Sequence, residues 1–227
     1  MITLYQFQGC PFCSKVRALL NFSKTPYEVV DVSPRGMKEL KGITEHKKVP
    51  VIKDGDNVIV ESATIIEYIN KNYAKLPVTD SDKEWTDWVD SKLVHFLPAL
   101  IHPDFKTSRE HIKKITPTGG FKGFIVPFVG ALVMPKVARR MKEKHNIQDP
   151  RGEYLAEIDH WVKAGLNGKD FYGGEKASFV DCSVFGVLRS GHKLGIVKMA
   201  MAHNKDFAIW YDRCYPLMSG DRLSSAE

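Results

Sequence analysis

Cys10 and Cys13 stand three positions apart in the stretch QFQGCPFCSKVRALLNF, residues 6–22, split by Pro11 and Phe12. Two thiols at this spacing can share a metal ion, exchange disulfides, or lie buried and inert. A zinc-type site built from four cysteines, or from two cysteines and two histidines, needs a second ligand pair at suitable spacing. The other cysteines, Cys182 and Cys214, stand alone, and the eight histidines form no H-x3-H pair toward the C-terminus. No metal site is therefore expected. Inert burial is the common state of isolated cysteines, and it is the reading given to Cys182 and Cys214. For the close pair, the surrounding pattern favours redox or nucleophilic chemistry.

That pattern is a short β-rich stretch ending at Phe7, a tight loop, and an apolar-periodic run beginning near Pro11. Cys10 then falls at a helix N-terminus, where unpaired main-chain N–H groups and the positive end of the helix dipole favour a thiolate. Thiols so placed ionise one to several units below the ordinary ~8.5. Cys10 is the expected nucleophile. Cys13, one turn inward, is suited to resolve a mixed disulfide. Lys15 and Arg17 could add positive potential, but a solvated helix face is the more ordinary role for them.

Two further elements could serve the same site. In KKVPV, Pro50 precedes a strand, a position that tolerates the missing N–H. A cis Val49–Pro50 bond would turn the Val49 backbone outward toward an extended peptide-like ligand; the sequence leaves the isomer open. Glu61-Ser62 precedes a helical run, with Ser62 as the expected N-cap of a helix over 63–72. A hydroxyl, a carboxylate and helix-end N–H groups together can hold a ligand bearing both a carboxylate and an ammonium.

The elements that must position these residues alternate over the first 75 positions. ITLYQF and YEVVDV read as strands around the cysteine helix, and a short basic helical piece covers about 37–41. VPVIKDGDNVIVES reads as a hairpin turning at Asp54 to Asn57. A strand–helix–strand start implies parallel pairing, with the hairpin as an antiparallel edge. The expected fold class is α/β plus all-α: a domain over 1–75, a linker over 76–83, and an all-helical domain over 84–227. Trp85, Trp88, Val89, Phe96, Leu97 and Leu100 make one helical stripe there, and Leu155, Ile158, Trp161 and Val162 another. Asp149-Pro150 starts a helix with proline at its first position. Ser178 and Asp181 have capping-box spacing.

The chain has 227 residues, 43% hydrophobic and 26% charged, values ordinary for a globular protein. The net charge of +6 makes the surface mildly basic. Four cysteines do not make a secreted disulfide framework, which points to a reducing compartment. The longest weakly charged apolar stretch, Gly123 to Pro135, holds 13 residues and an internal proline, short of the roughly 20 a spanning helix needs. No signal peptide is visible. The expected location is cytoplasmic, or membrane-associated where an anchor precedes this sequence. Phe121, Phe124, Ile125 and Phe128, in the segment Gly119 to Pro135, either pack inside the helical domain or line a hydrophobic substrate pocket between the domains. The basic run PKVARRMKEKH, from Pro135 to His145, is either a solvated face or a receiver for an anionic lipid headgroup or a fatty carboxylate. Nothing resembles a groove-reading motif, so nucleic acid is not an expected partner.

The cysteine helix resembles glutaredoxin, and the appended helical domain resembles that of glutathione transferases. More closely, TLYQFQGCPFCSKVRALLNF, PYEVVDVSP, KKVPV, ESATII, VHFLPALI, PKVARRMKEKHNIQD and FYGGEKASFVDCSVFGVLR resemble stretches of the microsomal prostaglandin E synthase type 2 family. They run from Thr3 to Arg189. The resemblance implies a thioredoxin-like N-terminal domain, a glutathione transferase-like helical domain and a homodimer. It implies glutathione as cosubstrate, haem as an additional ligand, and a hydrophobic, lipid-derived substrate, with peripheral membrane contact compatible with the basic run. The implied activity is thiol-dependent isomerisation of prostaglandin H to E, or more generally glutathione-dependent transfer or thiol–disulfide exchange. By position, Cys10 is the essential thiol and Cys13 its partner, with Phe7, Phe12, Val49, Pro50, Glu61 and Ser62 around glutathione. Glu61 replaces the family's usual aspartate, and Phe7 replaces a tyrosine whose hydroxyl lies near the thiol. The alternative is a non-catalytic module that binds glutathione, haem or a lipid.

Overall fold

A computed structural model describes residues 1–33, 36–115 and 120–220, the side chains of 115 and 120–127 excepted. Strand β1 (Ile2–Gln6) leads into helix α1 (Pro11–Phe22) and strand β2 (Tyr27–Asp31). One tight helical turn, Lys38–Leu40, precedes β3 (Val51–Asp54), β4 (Asn57–Val60) and α2 (Ser62–Ile69). The strand order is β2-β1-β3-β4. β1 and β2 run parallel, and β3 is antiparallel to both β1 and β4. This is the crossover-plus-hairpin arrangement that the alternating pattern implied. Ile2 and Leu4 of β1, Ile52 of β3 and Leu19 and Leu20 of α1 are sealed from solvent, so apolar burial holds the first helix to the sheet.

Helix α2 departs from expectation at both ends. Its N-cap is Glu61, not Ser62, and after Ile69 the helix continues as a wider π turn over Asn70–Ala74. The segment expected as a linker, 76–83, is irregular to Thr79 and helical from Asp80. Thr79 and Asp82 exchange reciprocal bonds there: Thr79 N donates to Asp82 Oδ2 at 2.6 Å, and Asp82 N donates to Thr79 Oγ1 at 3.2 Å.

The remaining elements are helices: α3 (Asp80–Trp88), α4 (Val94–Ile101), α5 (Phe105–Ile115), α6 (Gly120–Lys144), α7 (Pro150–His160), α8 (Phe179–Arg189), α9 (Ile196–His203) and α10 (Lys205–Met218). A π turn over Val89–Leu93 joins α3 to α4, and another over Trp161–Leu166 extends α7. Pro150 opens α7, and Asp149 Oδ1 accepts from Arg151 N at 3.2 Å. The capping box at Ser178 and Asp181 is formed. No helix among the described residues is long and apolar enough to cross a membrane.

The chain forms two compact units that are not contiguous in sequence. Among the described residues, one gathers 1–83 with 169–190 and 210–220; the other holds 84–168 and 191–209. In the second unit, Trp85 packs edge-on against Trp88 and Trp161 at 5.1 and 5.3 Å between ring centroids. Trp88 Nε1 donates to Glu157 Oε2 at 2.7 Å, and Lys92 pairs with Glu157 at 2.6 Å.

In the first unit, α8 packs along α1. The approach is close because Gly186 has no side chain: a Cβ there would lie 2.5 Å from Lys15 Cα and 3.0 Å from Ser14 O. Both obstacles are main chain and cannot swing aside. Gly186→Ala is therefore expected to destabilise the fold by about 1–3 kcal/mol through overpacking, read as a lower denaturation midpoint.

Candidate active site

The sheet register gathers the expected site residues. Val51, the first residue of β3, pairs with Tyr5 near the end of β1 and with Val60 at the end of β4. The chain after β1 (Phe7 to Cys10), before β3 (Val49-Pro50) and after β4 (Glu61-Ser62) thus emerges at one end of the sheet. Phe7 and Val49 pack together against Val32, Leu40 and Val51. Pro11 and Phe12 form the first turn of α1.

Cys10 is the N-cap of α1, in extended conformation, with Pro11 at the first helical position. Its own N–H donates to Phe7 O at 3.1 Å, and its carbonyl accepts from Ser14 N at 2.9 Å. The side chain accepts no helix-cap bond, so the sulfur has no structural duty there. Cys10 is half-buried and Cys13 fully buried. The Cys13 thiol hydrogen-bonds the Cys10 sulfur, the largest influence lowering Cys10 from 9.0 to about 7. Burial opposes the drop, while the Cys13 and Phe12 main-chain amides and the Arg17 charge assist it. Cys13 moves the other way, held protonated by burial first, then by its bond to Cys10 and the charge on Cys10. One thiol is poised as a thiolate and the other as its proton-bearing partner.

The basic residues beside the pair are not the solvated face expected of them. Lys15 is fully buried, against the close approach at Gly186. Arg17 is anchored: it donates to Gln6 Oε1 and, through Nη2, to Gln8 O at 3.4 Å. Gln6 and Gln8 each donate to Asp31, at 3.0 and 3.3 Å. This network steadies a cation near both sulfurs, and Gln6, Gln8 and Asp31 have no local sequence signal for that role.

Because the Cys10 sulfur is the more readily ionised, iodoacetamide should alkylate it with a pH midpoint near 7, well below the ordinary 9.0. The sign follows from ionisation: the reactive thiolate accumulates as pH rises through that midpoint. Rate against pH, with the labelled peptide identified by mass spectrometry, measures it.

The Val49–Pro50 bond, left open by the sequence, is cis. Glu61 has φ 64° and ψ 126°, an unfavourable conformation for a residue with a side chain. Its exposed carboxylate lies 3.5 Å from His46 Nε2 and 3.9 Å from Lys48 Nζ. Ser62, buried, opens α2. Cys182 and Cys214 are buried and driven well above 9.0, by burial first and then by the charge on Asp181. Of the segment Gly119 to Pro135, residue 119 and the side chains of Phe121, Phe124 and Ile125 lie outside the described residues. Phe128 is exposed and meets Phe105 edge-on at 5.6 Å. Among the described residues, no group of three or more His, Cys, Asp or Glu side chains could hold a metal ion.

Residues 4–77 match the family model for the glutathione S-transferase N-terminal domain, a span that contains every residue just placed at this end of the sheet. A prostaglandin E synthase 2 of Danio rerio is 31% identical over 264 aligned positions, which take in 93% of this chain and 70% of that protein. The chain belongs to the prostaglandin E synthase 2 family. A second prostaglandin E synthase 2, from Mus musculus, is 27% identical, covering 93% of this chain and 69% of its own. Rice GST1 (OsGSTU1), solved in complex with glutathione, superposes with a TM-score of 0.61 at 17% identity, over 94% of this chain and 86% of that one. This prostaglandin E synthase 2 relative therefore has the glutathione S-transferase fold, with a thioredoxin-like sheet at its N-terminus and helices after it.

Proposed function

We propose that this chain is a glutathione-dependent thiol enzyme with Cys10 as nucleophile and Cys13 as resolving thiol. The observation that carries the reading is the division of labour between the sulfurs: Cys10 lowered to about 7, Cys13 held protonated beside it. Support also comes from the arrangement around them. Val49, before the cis Pro50, presents main chain that can pair with a tripeptide. Glu61 and Ser62, at the start of α2, present a carboxylate, a hydroxyl and helix-end N–H groups to its γ-glutamyl end. Glutathione supplies the thiol that restores the reduced pair.

In disulfide exchange, the Cys10 thiolate attacks one sulfur of a substrate disulfide. The S–S bond breaks and the far sulfur departs as a thiolate. The charge on Cys10 and the bond it accepted from Cys13 are then gone, and both had kept Cys13 protonated. Cys13 can now lose its proton and attack Cys10, closing an intramolecular disulfide and expelling the second substrate sulfur. Two glutathione thiols reduce that disulfide, and glutathione disulfide leaves.

The family's name points to a finer activity, isomerisation of a prostaglandin endoperoxide. There the Cys10 thiolate attacks the oxygen on the carbon that becomes the ketone. The O–O bond breaks, and the other oxygen takes a proton to become a hydroxyl. A base then removes the hydrogen from the first carbon, the C=O bond forms, and the S–O bond breaks to return the thiolate. No net oxidation occurs. Phe7 brings no hydroxyl to the thiol, so the activation seen at Cys10 comes from Cys13, main-chain amides and Arg17. Haem binding, dimerisation and membrane contact rest on the family resemblance, and neither reaction above requires them.

Calorimetric titration with glutathione tests the reading. Saturable binding is expected, weakened about tenfold by Glu61→Gln and by Ser62→Ala, as loss of a hydrogen bond to a charged ligand group implies. Absence of binding would overturn it. Binding without turnover of any disulfide or endoperoxide would favour the non-catalytic module.

A further inference from the structure

The second unit holds a cavity of about 390 Å³ that none of the chemistry above uses. Its size lies in the ~300–1,000 Å³ range of small-molecule sites. Ala99 of α4, Pro135 and Ala138 of α6, and Pro150 of α7 give it apolar walls. Lys136, Arg139 and Lys142 also line it, at a spacing of three that keeps them along one side of α6. Lys136 and Arg139 are exposed and Lys142 is half-buried. Arg139 is spanned by Glu143 at a loose 3.9 Å.

His102 is a buried polar residue of the lining. It lines the same cavity and is only 6% exposed. Its main-chain N donates to Pro98 O at 2.9 Å, ending α4. Its ring Nδ1, by contrast, is buried with no hydrogen-bond partner among the described residues. That atom is closed to solvent and lies behind the cavity wall, where an unpartnered polar atom costs on the order of 1–3 kcal/mol. The ring is kept neutral, with burial and then His111 lowering it to about 4. A neutral imidazole can donate one N–H without adding charge to be desolvated. The nearby Asp104 carboxylate is engaged as a cap, accepting from Thr107 N and Thr107 Oγ1, each at 2.8 Å.

We infer that this cavity binds an amphipathic carboxylate: the head meets the Lys136, Arg139 and Lys142 charges, and the aliphatic body lies against the alanine and proline walls. The inference gives the basic run after Pro135 a ligand rather than solvent. It does not depend on Cys10 or on glutathione.

Sodium dodecanoate below its micelle concentration is the probe, titrated into the full chain by calorimetry. Saturable one-to-one binding is expected. The double variant R139A/K142A should weaken it about tenfold, the sum of two partly exposed charge contacts. Arg139 is exposed and Lys142 half-buried, and an unaltered thermal melt confirms the fold. Dodecanol, with the same chain and no charge, should bind at least about tenfold more weakly by the same charge contacts. Inorganic phosphate, with charge and no chain, should not compete. Four results would overturn the inference: no saturable dodecanoate binding, full affinity in the double variant, dodecanol binding equally well, or phosphate displacing the probe.

Discussion

Cys10→Ser should reduce glutathione-dependent turnover by at least about a hundredfold, with kcat falling rather than KM rising. A serine hydroxyl cannot ionise near neutral pH, so the main-chain amides and Arg17 that favour the thiolate have nothing to act on. The fold should survive, because the Cys10 side chain is half-buried and makes no cap bond at the start of α1. Cys13→Ser has a different signature. It replaces the thiol that hydrogen-bonds Cys10, the largest influence on the lowered midpoint, and it removes the resolving sulfur. Disulfide exchange should then stall at the mixed disulfide, while a reaction needing only one thiolate persists. Steady-state rates on a disulfide and on an endoperoxide, with glutathione saturating, separate these outcomes. Undiminished turnover by Cys10→Ser would remove the thiol from the mechanism.

Asp181→Ala should cost about 3–5 kcal/mol, the largest loss of stability expected from one substitution outside the apolar core. The carboxylate is sealed from solvent. It accepts from Tyr172 N at 3.0 Å, Gly173 N at 3.4 Å, and Ser178 N and Oγ at 2.8 Å each. Trp210 Nε1 adds a fifth bond at 2.8 Å. Alanine would leave several buried donors without an acceptor and remove the capping box, a loss of about 1 kcal/mol by itself. At ~2–4 °C per kcal/mol for a chain of this size, the melting temperature should drop by about 6–20 °C. Asp181→Asn keeps one oxygen and should lose less. Thermal and urea melts followed by circular dichroism check both.

Local chemistry made much of this legible. The strand–helix–strand order, the turn between Asp54 and Asn57, the proline start at Asp149-Pro150 and the Ser178/Asp181 box each depend on residues within a few positions of one another. The thiol pair was legible for the same reason: a cysteine beside a helix-starting proline lies among unpaired amides wherever the helix later packs. What escaped was set by distant partners or by backbone detail. Lys15 reads as a surface charge until α8, far along the chain, closes over it. The link from Asp181 to Trp210 crosses 29 positions, and nothing local announces it. The π turns after Ile69, Trp88 and His160 shift hydrogen-bond register without disturbing apolar periodicity. Glu61 displaced Ser62 as the cap because its backbone, at φ 64°, already turns the chain into α2.

The contact between Gly186 and the Lys15 main chain bears on how such proteins can be divided. The helix that carries both thiols leans on a segment encoded far downstream of the sheet, and that segment is pinned by its own buried carboxylate. A gene cut after α2 would yield a peptide with both cysteines intact in sequence and one side of their helix stripped of cover. In this chain the two-cysteine helix is not a portable cassette, because part of its cover comes from α8.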